Sequence, residues 1–536
     1  MTAIADPIAA GLAAGWHVTD CAALTADRVI EADVVIVGSG AGGGVTAEIL
    51  AQAGLKVVIV EEGALKSSRD FRMREAEAYP ALYQESAARK TKDKAINILQ
   101  GRTVGGSTTV NWTSSFRTPP VTLAHWQRRY GLTTYTVESL APWFEKMEAR
   151  LHIAGWPTPP NANNDLLRQG AGRLGIATGA IRRNVNGCWN LGYCGMGCPT
   201  NAKQSMLVTT IPSALDRGAT LLTRARAERL VLRGDRADHL AITALGADGI
   251  APTGRTVTVR ARHYVVAGGA INSPGLLLRS GAPDPNRLLG ARTFLHPTLV
   301  SAARFAQPVE GYAGAPQTIY SDHFLDTLPP DGPVGYKLEV PPLHPLLLST
   351  TLAGFGAAHA EAMRHFARTQ GMLALLRDGF HDGAPGGRVL LRADGTPELD
   401  YTMTNYLWDG ARRALLTMAE IQFAAGAEAV LPLHEMGRHY ASWNEAQAAI
   451  AALPMAPLLT RVASAHVMGG CAMAGAERDG VVAPDGRYRG LANVSVHDGS
   501  LFPTSIGANP QLSIYAIVAR LASGLAGQLT GGKSHG

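Results

Sequence analysis

Two short apolar runs near the N-terminus, separated by a glycine-rich segment, give the clearest local structure in the chain. Residues 34–37 and 57–60 both read VVIV, the composition of strands that are buried on both faces of a parallel sheet. Gly38, Ser39 and Gly40 follow the first run as a tight turn, and the chain after them is interpreted as a helix. The pattern therefore predicts a strand, a turn, a helix and a second parallel strand.

Strand and helix patterns resume farther along the chain. Strand-like runs followed by a short helix occupy residues 218–281, residues 120–185 have helical periodicity, and residues 300–455 mix proline-rich loops, amphipathic helices and strands. These patterns predict an α/β fold with a discontinuous nucleotide-binding domain. We assign 30–118, 200–300 and 456–536 to that domain, 119–199 and 301–455 to a second domain, and 1–29 to an N-terminal extension.

The turn after the first strand carries a dinucleotide-binding fingerprint. Gly38 permits the turn, Gly40 lets the backbone approach a pyrophosphate, and Gly43 lets the helix pack on the strand. Glu61 ends the second strand, 21 residues after Gly40, where a carboxylate accepts hydrogen bonds from a ribose diol. These elements indicate a nucleotide site, and both NAD and FAD stay open because they use the same cradle.

Composition and charge narrow the class of protein. The net charge of +6 is spread along 536 residues, and the densest basic group, 89–94, holds four cations, so we expect no nucleic-acid partner. The N-terminus lacks a basic region and a twin-arginine pair, and no run of 18 uninterrupted apolar residues occurs, so neither a secretory signal nor a transmembrane span is expected. The five cysteines suggest a cytoplasmic protein, and residues 340–358 leave peripheral membrane contact open.

Two glycine-containing segments outside the fingerprint carry candidate binding chemistry. Residues 101–111, GRTVGGSTTVN, place a glycine pair and several hydroxyls in one loop, which suits backbone contact with a flat ring and hydrogen bonds to phosphate. Gly269 follows another apolar strand, and we expect Ser273 and Pro274 to be the N-cap and first residue of a helix facing the same crevice.

The C-terminal region supplies the candidate catalytic groups. His466 lies among small residues in 464–470, and residues 494–499 predict a strand that ends at an Asp-Gly pair. Asn509 precedes a proline and a long apolar helix, Gln511–Leu529, whose N-terminal N–H dipoles favour negative charge on a neighbouring group.

These segments together resemble the glucose-methanol-choline (GMC) family of FAD-dependent oxidoreductases, from about residue 30 to the C-terminus. The resemblance implies a Rossmann-like, discontinuous FAD-binding domain and an α+β substrate-binding domain with an antiparallel sheet. It also implies where FAD binds: the ADP half at Gly38, Gly40, Gly43 and Glu61, the adenine at the backbone of Ala227, the ribityl and pyrophosphate at Asp498 and Gly499, and the flavin side at Gly105, Gly106, Ser107, Asn111 and Gln511.

Some members of the family attach FAD covalently through a histidine just before the residue that matches Asn111. Val110 occupies that position here and cannot form the link. We therefore expect FAD to be bound non-covalently.

The resemblance also implies the chemistry. Oxidation of an alcohol needs a base near the hydroxyl and a hydride acceptor near the carbinol carbon. We expect His466 to be the base, Asn509 to orient the substrate oxygen, and the hydride to pass to flavin N5. His296 and His497 are interpreted as packing or backbone-bonding residues. Two alternatives stay open: a lyase or decarboxylase that keeps FAD without net redox, and a catalytic subunit that passes electrons to a cytochrome partner.

Three clustered cysteines suggest a second cofactor. Cys188, Cys194 and Cys198 lie among turn glycines, and three thiolates suffice for a [3Fe-4S] cluster. The spacing resembles that of bacterial FAD-dependent glucose dehydrogenase subunits, whereas the sequence that follows resembles long-chain alcohol oxidases, in which cysteines near this segment need not hold a cluster. An iron-sulfur site and structural thiols or a disulfide therefore both stay open.

The substrate and the electron acceptor follow less directly from the sequence. The second domain is rich in Leu, Ala, Met and Tyr, so we expect a small-molecule alcohol of apolar character. The acceptor is oxygen, a quinone or a cytochrome, depending on whether the cysteines hold a cluster.

Overall fold

The computed structural model describes residues 4–531, which form twenty-two strands and fifteen α-helices. The strands are β1 (His17–Asp20), β2 (Arg28–Val37), β3 (Val57–Val60), β4 (Ile96–Ile98), β5 (Ile153–Gly155), β6 (Gly179–Ala180), β7 (Arg182–Asn184), β8 (Thr220–Thr223), β9 (Ala225–Arg233), β10 (Arg236–Leu245), β11 (Pro252–Val266), β12 (Ala291–Phe294), β13 (Thr298–Arg304), β14 (Ile319–Ser321), β15 (Tyr336–Glu339), β16 (Thr369–Leu376), β17 (Gly387–Leu391), β18 (Pro397–Asp400), β19 (Ala429–Pro432), β20 (Val462–Ser464), β21 (Met468–Gly469) and β22 (Val494–Val496). The helices are α1 (Pro7–Ala13), α2 (Ala41–Gln52), α3 (Glu75–Leu82), α4 (Ser107–Val110), α5 (Pro120–Tyr130), α6 (Val137–Arg150), α7 (Ala162–Arg173), α8 (Thr210–Leu215), α9 (Gly269–Arg279), α10 (His323–Asp326), α11 (Pro345–Thr351), α12 (Gly356–Arg364), α13 (Asn405–Ala424), α14 (Trp443–Ala452) and α15 (Gln511–Leu529).

The first of two large sheets contains the predicted nucleotide-binding strands. Its order is β1-β8-β3-β2-β11-β10-β9, with β22 paired to β11. The strands β1, β8, β3, β2, β11 and β22 run parallel to their neighbours, and β10 and β9 form an antiparallel extension. The two VVIV runs pair in register from Val34 with Val57 to Val37 with Val60, so the predicted adjacent parallel strands are confirmed.

The second large sheet is almost entirely antiparallel. Its order is β4-β20-β13-β16-β15-β14-β6, with β19 paired to β13, and only the β4–β20 pair within it is parallel. A four-stranded sheet, β18-β17-β12-β21, and the pair β5-β7 complete the strands that the described residues form. The mixed α/β fold with an antiparallel second sheet is confirmed. The predicted domain boundaries stay a prediction.

Two hydrophobic cores correspond to the two large sheets. The larger core joins the parallel sheet to α2 and α15, and the other joins the antiparallel sheet to α13 and α14. The predicted apolar helix Gln511–Leu529 is confirmed with the same bounds, and it packs on α2 and α6. Within residues 4–531 it is also the one helix long and apolar enough to cross a membrane, but 61% of that apolar window is buried inside the protein.

One helix begins earlier than the sequence suggested. We expected Ser273 and Pro274 to start it, but α9 begins at Gly269 and both residues lie inside the helix. The Ser273 hydroxyl accepts a hydrogen bond from the Gly268 N–H and donates to the Asp498 carboxylate, so it anchors the strand-to-helix turn from within the helix. The N-cap prediction was wrong because this long-range partner is not visible in the local pattern.

Candidate active site

A large cavity of about 1380 Å³ runs between the two large sheets. One end lies at the carboxyl ends of β2 and β3, which is where nucleotides bind in open α/β sheets. The other end lies beside the antiparallel sheet, near His466 and Asn509. The cavity therefore connects the predicted nucleotide turn with the predicted catalytic residues.

Twelve of the fourteen residues predicted for catalysis or cofactor binding line this cavity. They are Gly38, Gly40, Glu61, Gly106, Ser107, Asn111, Ala227, His466, Asp498, Gly499, Asn509 and Gln511. The other two, Gly43 and Gly105, lie directly behind the lining, where they shape the backbone that forms it. Residues from both ends of the sequence thus meet at one site, although their individual roles stay predictions.

Close backbone packing explains the glycines of the first turn. A Cβ on Gly43 would lie 1.9 Å from the carbonyl oxygen of Gly38, so helix α2 can approach β2 only with glycine there. Sequence analysis missed Gly42, whose Cβ would lie 1.6 Å from the carbonyl oxygen of His497. The signal was present in the consecutive glycines 42–44, but the partner strand β22 is more than 400 residues away in the sequence.

Glu61, the residue predicted to bind a ribose, is held in place by three hydrogen bonds. Its carboxylate accepts hydrogen bonds from the Ser39 N–H at 3.1 Å, the Ser39 hydroxyl at 2.5 Å and the Gly63 N–H at 2.8 Å. Burial raises the pKa of this carboxyl, and these donors oppose the rise. The donors fix the carboxylate at the end of β3, facing the cavity.

The loop 101–111 forms the middle of the cavity wall. Gly106 has a φ of +52°, and a Cβ on it would lie 2.8 Å from the Cα of Gly40, so the two glycine turns meet without side chains between them. At the end of this loop, Asn111 donates a hydrogen bond from Nδ2 to Oε1 of Gln511 at 2.6 Å. This bond ties the loop to the first residue of α15.

Asp498 has a structural role that the sequence did not indicate. Its two carboxylate oxygens accept hydrogen bonds from the backbone N–H groups of Gly269 and Ser500, each at 2.8 Å, and from the hydroxyls of Ser273 and Ser500. The carboxylate therefore holds the N-terminus of α9 against the end of β22. Its contact with a cofactor stays a prediction.

His466 faces the cavity and pairs with a second histidine. The Nδ1 atoms of His466 and His296 lie 3.1 Å apart, and the ring centroids are 5.2 Å apart. His296 is fully buried with φ +51°, and its backbone N–H donates to the Asp378 carboxylate at 3.1 Å. The sequence predicts a packing or backbone-bonding role for His296, and the structure places its ring in direct contact with the predicted base.

Burial keeps the His466 imidazole neutral. Desolvation by the surrounding protein, with the charge of Lys337 as a smaller cause, lowers the pKa of His466 to about 4. Burial, the neighbouring His466 and Lys337 also lower the pKa of His296 well below its ordinary value. At neutral pH both rings carry one proton each, and one Nδ1 must donate to the other.

The second predicted catalytic residue, Asn509, is held by a carboxylate that sequence analysis missed. Asn509 Nδ2 donates to Oε2 of Glu339 at 3.2 Å, and Nε2 of Gln317, another cavity residue, donates to the same oxygen at 2.8 Å. Glu339 is fully buried at the end of β15. The sequence of β15, YKLE, alternates two charged residues with Tyr336 and Leu338 and gave no local signal that singled out Glu339.

From His466 the cavity continues as an apolar arm towards the surface. The wall on the sheet side alternates along β13 and β16, and the opposite wall is the segment before and within α11. The lining residues are Thr298, Val300, Leu373, Leu375, Pro341, Leu343, Leu346 and Leu347. Leu346 is partly exposed, so the arm reaches solvent at α11.

The three clustered cysteines do not form a metal site in the structure. Within residues 4–531 no group of three or more His, Cys, Asp or Glu side chains is arranged to hold a metal ion, and the five cysteines are free thiols. Instead, the Cys198 sulfur accepts from the Lys203 N–H, and the Cys194 sulfur lies 3.9 Å from Nη2 of Arg183. The predicted iron-sulfur site at Cys188, Cys194 and Cys198 therefore gains no support from the described residues.

The geometry fits FAD. Helix α2 presents its N-terminus to the cavity, Glu61 stands where a ribose diol is expected, and the contact of Gly40 with Gly106 leaves a groove that a Cβ would fill. The cavity continues to His466 and Asn509 without interruption. An extended dinucleotide is therefore the group that these residues would hold.

Comparison with known proteins gives the class. Residues 79–298 and 385–518 match the two GMC oxidoreductase family profiles, and residues 33–97 match an FAD binding domain. The chain belongs to the GMC oxidoreductase family, and the FAD-binding flavoprotein fold that the sequence predicted is confirmed.

The relatives share most of the chain. An uncharacterized GMC-type oxidoreductase of Mycobacterium tuberculosis is 32% identical over 95% of this chain and 78% of its own length. An uncharacterized GMC-type oxidoreductase of Sinorhizobium fredii is 29% identical over 93% of this chain and 95% of its own length. A long-chain-alcohol oxidase of Arabidopsis thaliana is 28% identical over 92% of this chain and 67% of its own length.

Solved structures show the same fold. Pyridoxine 4-oxidase from Mesorbium loti superposes with a TM-score of 0.64 at 19% identity, covering 91% of this chain and 98% of its own. A formate oxidase superposes with a TM-score of 0.68 at 15% identity, and the match covers 94% of this chain and 99% of the formate oxidase. At these identities the likeness concerns the fold alone.

Proposed function

We propose that this oxidoreductase oxidises the CH–OH group of an alcohol that carries an extended apolar chain. The observation that carries the proposal is the apolar arm that leads from His466 and Asn509 to the surface at α11. The long-chain-alcohol oxidases of Arabidopsis thaliana among the relatives support the same substrate class. FAD, when bound, supplies the hydride acceptor.

His466 would remove the hydroxyl proton. Its pKa of about 4 keeps the ring neutral at neutral pH, so a lone pair is available on one ring nitrogen. That nitrogen is Nε2 if Nδ1 carries the proton and donates it to Nδ1 of His296. His296 would thus select the tautomer of His466 that can act as a base.

The substrate chain would lie along the leucine-lined arm while the hydroxyl reaches His466. Each methylene buried there contributes about 0.8 kcal/mol to binding. The arm has few hydrogen-bonding groups to hold a polar chain, so a sugar-like substrate would leave its hydroxyls unpaired at a cost of about 1–3 kcal/mol each. An aliphatic alcohol would bury methylenes in the arm and would carry no further hydroxyls that need hydrogen-bond partners.

We infer further that FAD is bound non-covalently, because Val110 offers no atom for a bond to the cofactor. The relatives named oxidases favour molecular oxygen as the electron acceptor. Acid precipitation tests the first statement: the flavin should stay in the supernatant, and flavin retained in the pellet would contradict it.

The experiment for the proposed function is anaerobic mixing of the FAD-loaded enzyme with a series of straight-chain primary alcohols. We expect the flavin absorbance to bleach and the KM to fall as the chain lengthens, by up to about fourfold per methylene. Glucose and choline serve as polar comparisons. No bleaching with any alcohol, or a KM independent of chain length, would overturn the proposal.

A further inference from the structure

Glu339 is a fully buried carboxyl that no step described above uses. It is the last residue of β15, where it pairs in register with Tyr320 of β14 and Leu373 of β16. It does not line the cavity, yet both residues that donate to it, Asn509 and Gln317, do. The carboxyl therefore lies one layer behind the wall that faces the substrate.

Two polar atoms at this point have no partner. Within residues 4–531, neither Oε1 of Glu339 nor Oδ1 of Asn509 makes a hydrogen bond, although both are buried. Gln317 differs, because its Oε1 accepts from the Ser114 hydroxyl at 3.2 Å, which fixes the orientation of its amide. The Asn509 amide is thus held at one end only, by Glu339.

We propose that Glu339 is a positioning residue: its protonation state decides whether Asn509 presents its carbonyl oxygen or its NH₂ group to the substrate hydroxyl. The proposal rests on the proposed function, in which that hydroxyl lies between His466 and Asn509.

The physical basis is the difference in what the two forms of a carboxyl can do. A carboxylate only accepts, so the Asn509 NH₂ must face it and Oδ1 lies on the other side of the amide, where it has no partner among the described residues. A protonated carboxyl donates one hydrogen bond, which Oδ1 of a reversed Asn509 amide can accept. The NH₂ group then takes the position that the unpartnered Oδ1 held.

The two orientations have opposite effects on proton removal. In the proposed complex, an Asn509 oxygen on the substrate side of the amide accepts a hydrogen bond from the substrate hydroxyl and competes with Nε2 of His466 for that proton. An Asn509 NH₂ group donates to the substrate oxygen and stabilises the negative charge that develops as His466 takes the proton. The form with protonated Glu339 is therefore the faster one.

The surroundings place this change near neutral pH. Burial raises the pKa of Glu339 to about 7, against the lowering effects of Lys337 and of the hydrogen bond from Asn509, and Asp322 adds to the rise. Lys337 is fully buried on the same strand and is paired with Asp322 at 2.7 Å. The adjacent Tyr320 phenol has a raised pKa and stays protonated.

No second titration near neutral pH comes from the histidines. Both His466 and His296 are neutral throughout this range because burial lowers their pKa values. The expected kcat/KM profile is a bell: it rises as His466 loses its proton near pH 4 and falls as Glu339 loses its proton near pH 7.

The kinetic test is Glu339→Gln in the FAD-loaded enzyme. Wild-type kcat/KM with a long-chain primary alcohol should fall roughly tenfold as the pH rises through about 7, the factor for one hydrogen bond to the substrate oxygen, and E339Q should lose this fall. The control Glu310→Gln removes an exposed carboxyl elsewhere and should keep the wild-type profile. A fall near pH 7 that persists in E339Q overturns the proposal.

Infrared difference spectroscopy gives a readout that does not depend on turnover. Acidification of the resting enzyme through about pH 7 should produce the C=O stretch of a protonated carboxyl together with a shift of an asparagine amide band, and both should vanish in E339Q. The two tests separate the claims. If alcohols fail to reduce the enzyme but these bands titrate as described, only the proposed function fails; if alcohols reduce it and the bands are unaffected by E339Q, only the role of Glu339 fails.

Asn509→Ala decides the question if E339Q does not fold. The hydrogen bond from Asn509 lowers the pKa of Glu339, so its removal should move the carboxyl band to higher pH. An unchanged titration in N509A would show that the two side chains are not coupled and would overturn the proposal.

Discussion

At the scale of single residues, the site depends on partners that fix the protons of His466 and Asn509. His296 contacts Nδ1 of His466 at 3.1 Å, and Glu339 accepts from Nδ2 of Asn509 at 3.2 Å. Neither partner is predicted to touch the substrate. We propose that His296 sets the tautomer of His466 and that Glu339 sets the orientation of the Asn509 amide, as residues behind a catalytic or metal-binding group commonly do.

His296 provides the first test at this scale. His296→Ala removes the acceptor for the His466 Nδ1 proton, so the base is no longer held in one tautomer, and we expect flavin reduction by alcohol to slow about 100-fold. Rapid-mixing absorbance measures this rate. His296→Asn is the matched variant, because its side-chain oxygen can accept the same proton and asparagine tolerates the φ of +51°.

We expect the asparagine variant to keep much of the wild-type rate. Equal loss in both variants, with FAD content and thermal stability unchanged, would show that His296 acts by packing alone.

At the scale of elements, one carboxylate anchors α11, the helix that forms one wall of the apolar arm. Glu75, the first residue of α3, accepts hydrogen bonds from the backbone N–H groups of Leu346 at 2.7 Å and Leu347 at 2.8 Å, in the first turn of α11. The Tyr79 hydroxyl donates to the same carboxylate at 3.0 Å. Two short helices that line the cavity are thereby joined over it.

Glu75→Ala should weaken the attachment of α11 to α3. The loss of a helix cap costs about 1 kcal/mol, and α11 carries Leu346 and Leu347, which line the arm and would contact the substrate chain in the proposed complex. We expect the KM for long-chain alcohols to rise severalfold, the KM for short ones to change little, and the limiting rate of flavin reduction to stay the same. Steady-state and stopped-flow kinetics measure these values.

Glu77→Ala is the control, since Glu77 lies on the same helix and pairs only with Arg74 at the surface. A similar KM change in both variants, or a loss independent of chain length, would argue against α11 as part of the substrate site.

At the scale of the whole molecule, the cofactor site joins segments from both ends of the chain. Asn111 donates to Gln511, and Nε2 of Gln511 donates to the Ser114 carbonyl at 2.8 Å, so the loop 101–111 and helix α15 meet across 400 residues of sequence. The Tyr515 hydroxyl also donates a hydrogen bond to Oε1 of Gln511, at 2.9 Å. Binding of FAD should therefore stabilise the fold as one unit.

Gln511→Ala tests this connection. It leaves Asn111 and the Ser114 carbonyl without their partner, at a cost of about 1–3 kcal/mol, and we expect both the melting temperature and its increase on adding FAD to fall. Thermal unfolding with and without FAD measures this. The control Gln528→Ala changes the same residue type at an exposed position of α15 and should leave both quantities unchanged.

The sequence predicts correctly those elements whose structure depends only on residues close to one another in the chain. The two VVIV runs were predicted as parallel strands and α15 with its observed bounds, because periodicity and flanking residues fix them, although β2 begins six residues earlier, at Arg28. The start of α9 was misplaced because Ser273 bonds to a carboxylate 225 residues away.

The residues of the functional site divide in the same way, into those that the sequence reveals and those that only the fold brings together. The glycines and Glu61 of the first turn were visible as a fingerprint, and His466 and Asn509 through the resemblance to a family. Glu339 and the contact of His296 with His466 were missed, because Glu339 reaches Asn509 from β15 and the two histidines meet only where β13 pairs with β20.

The most direct test of the central claim is anaerobic reduction of His466→Ala by a long-chain primary alcohol. We predict that H466A binds FAD with the wild-type spectrum and stoichiometry but that the alcohol no longer bleaches the flavin, because the ring nitrogen proposed to accept the hydroxyl proton is gone. Reduction of FAD-loaded H466A at the wild-type rate would contradict this account.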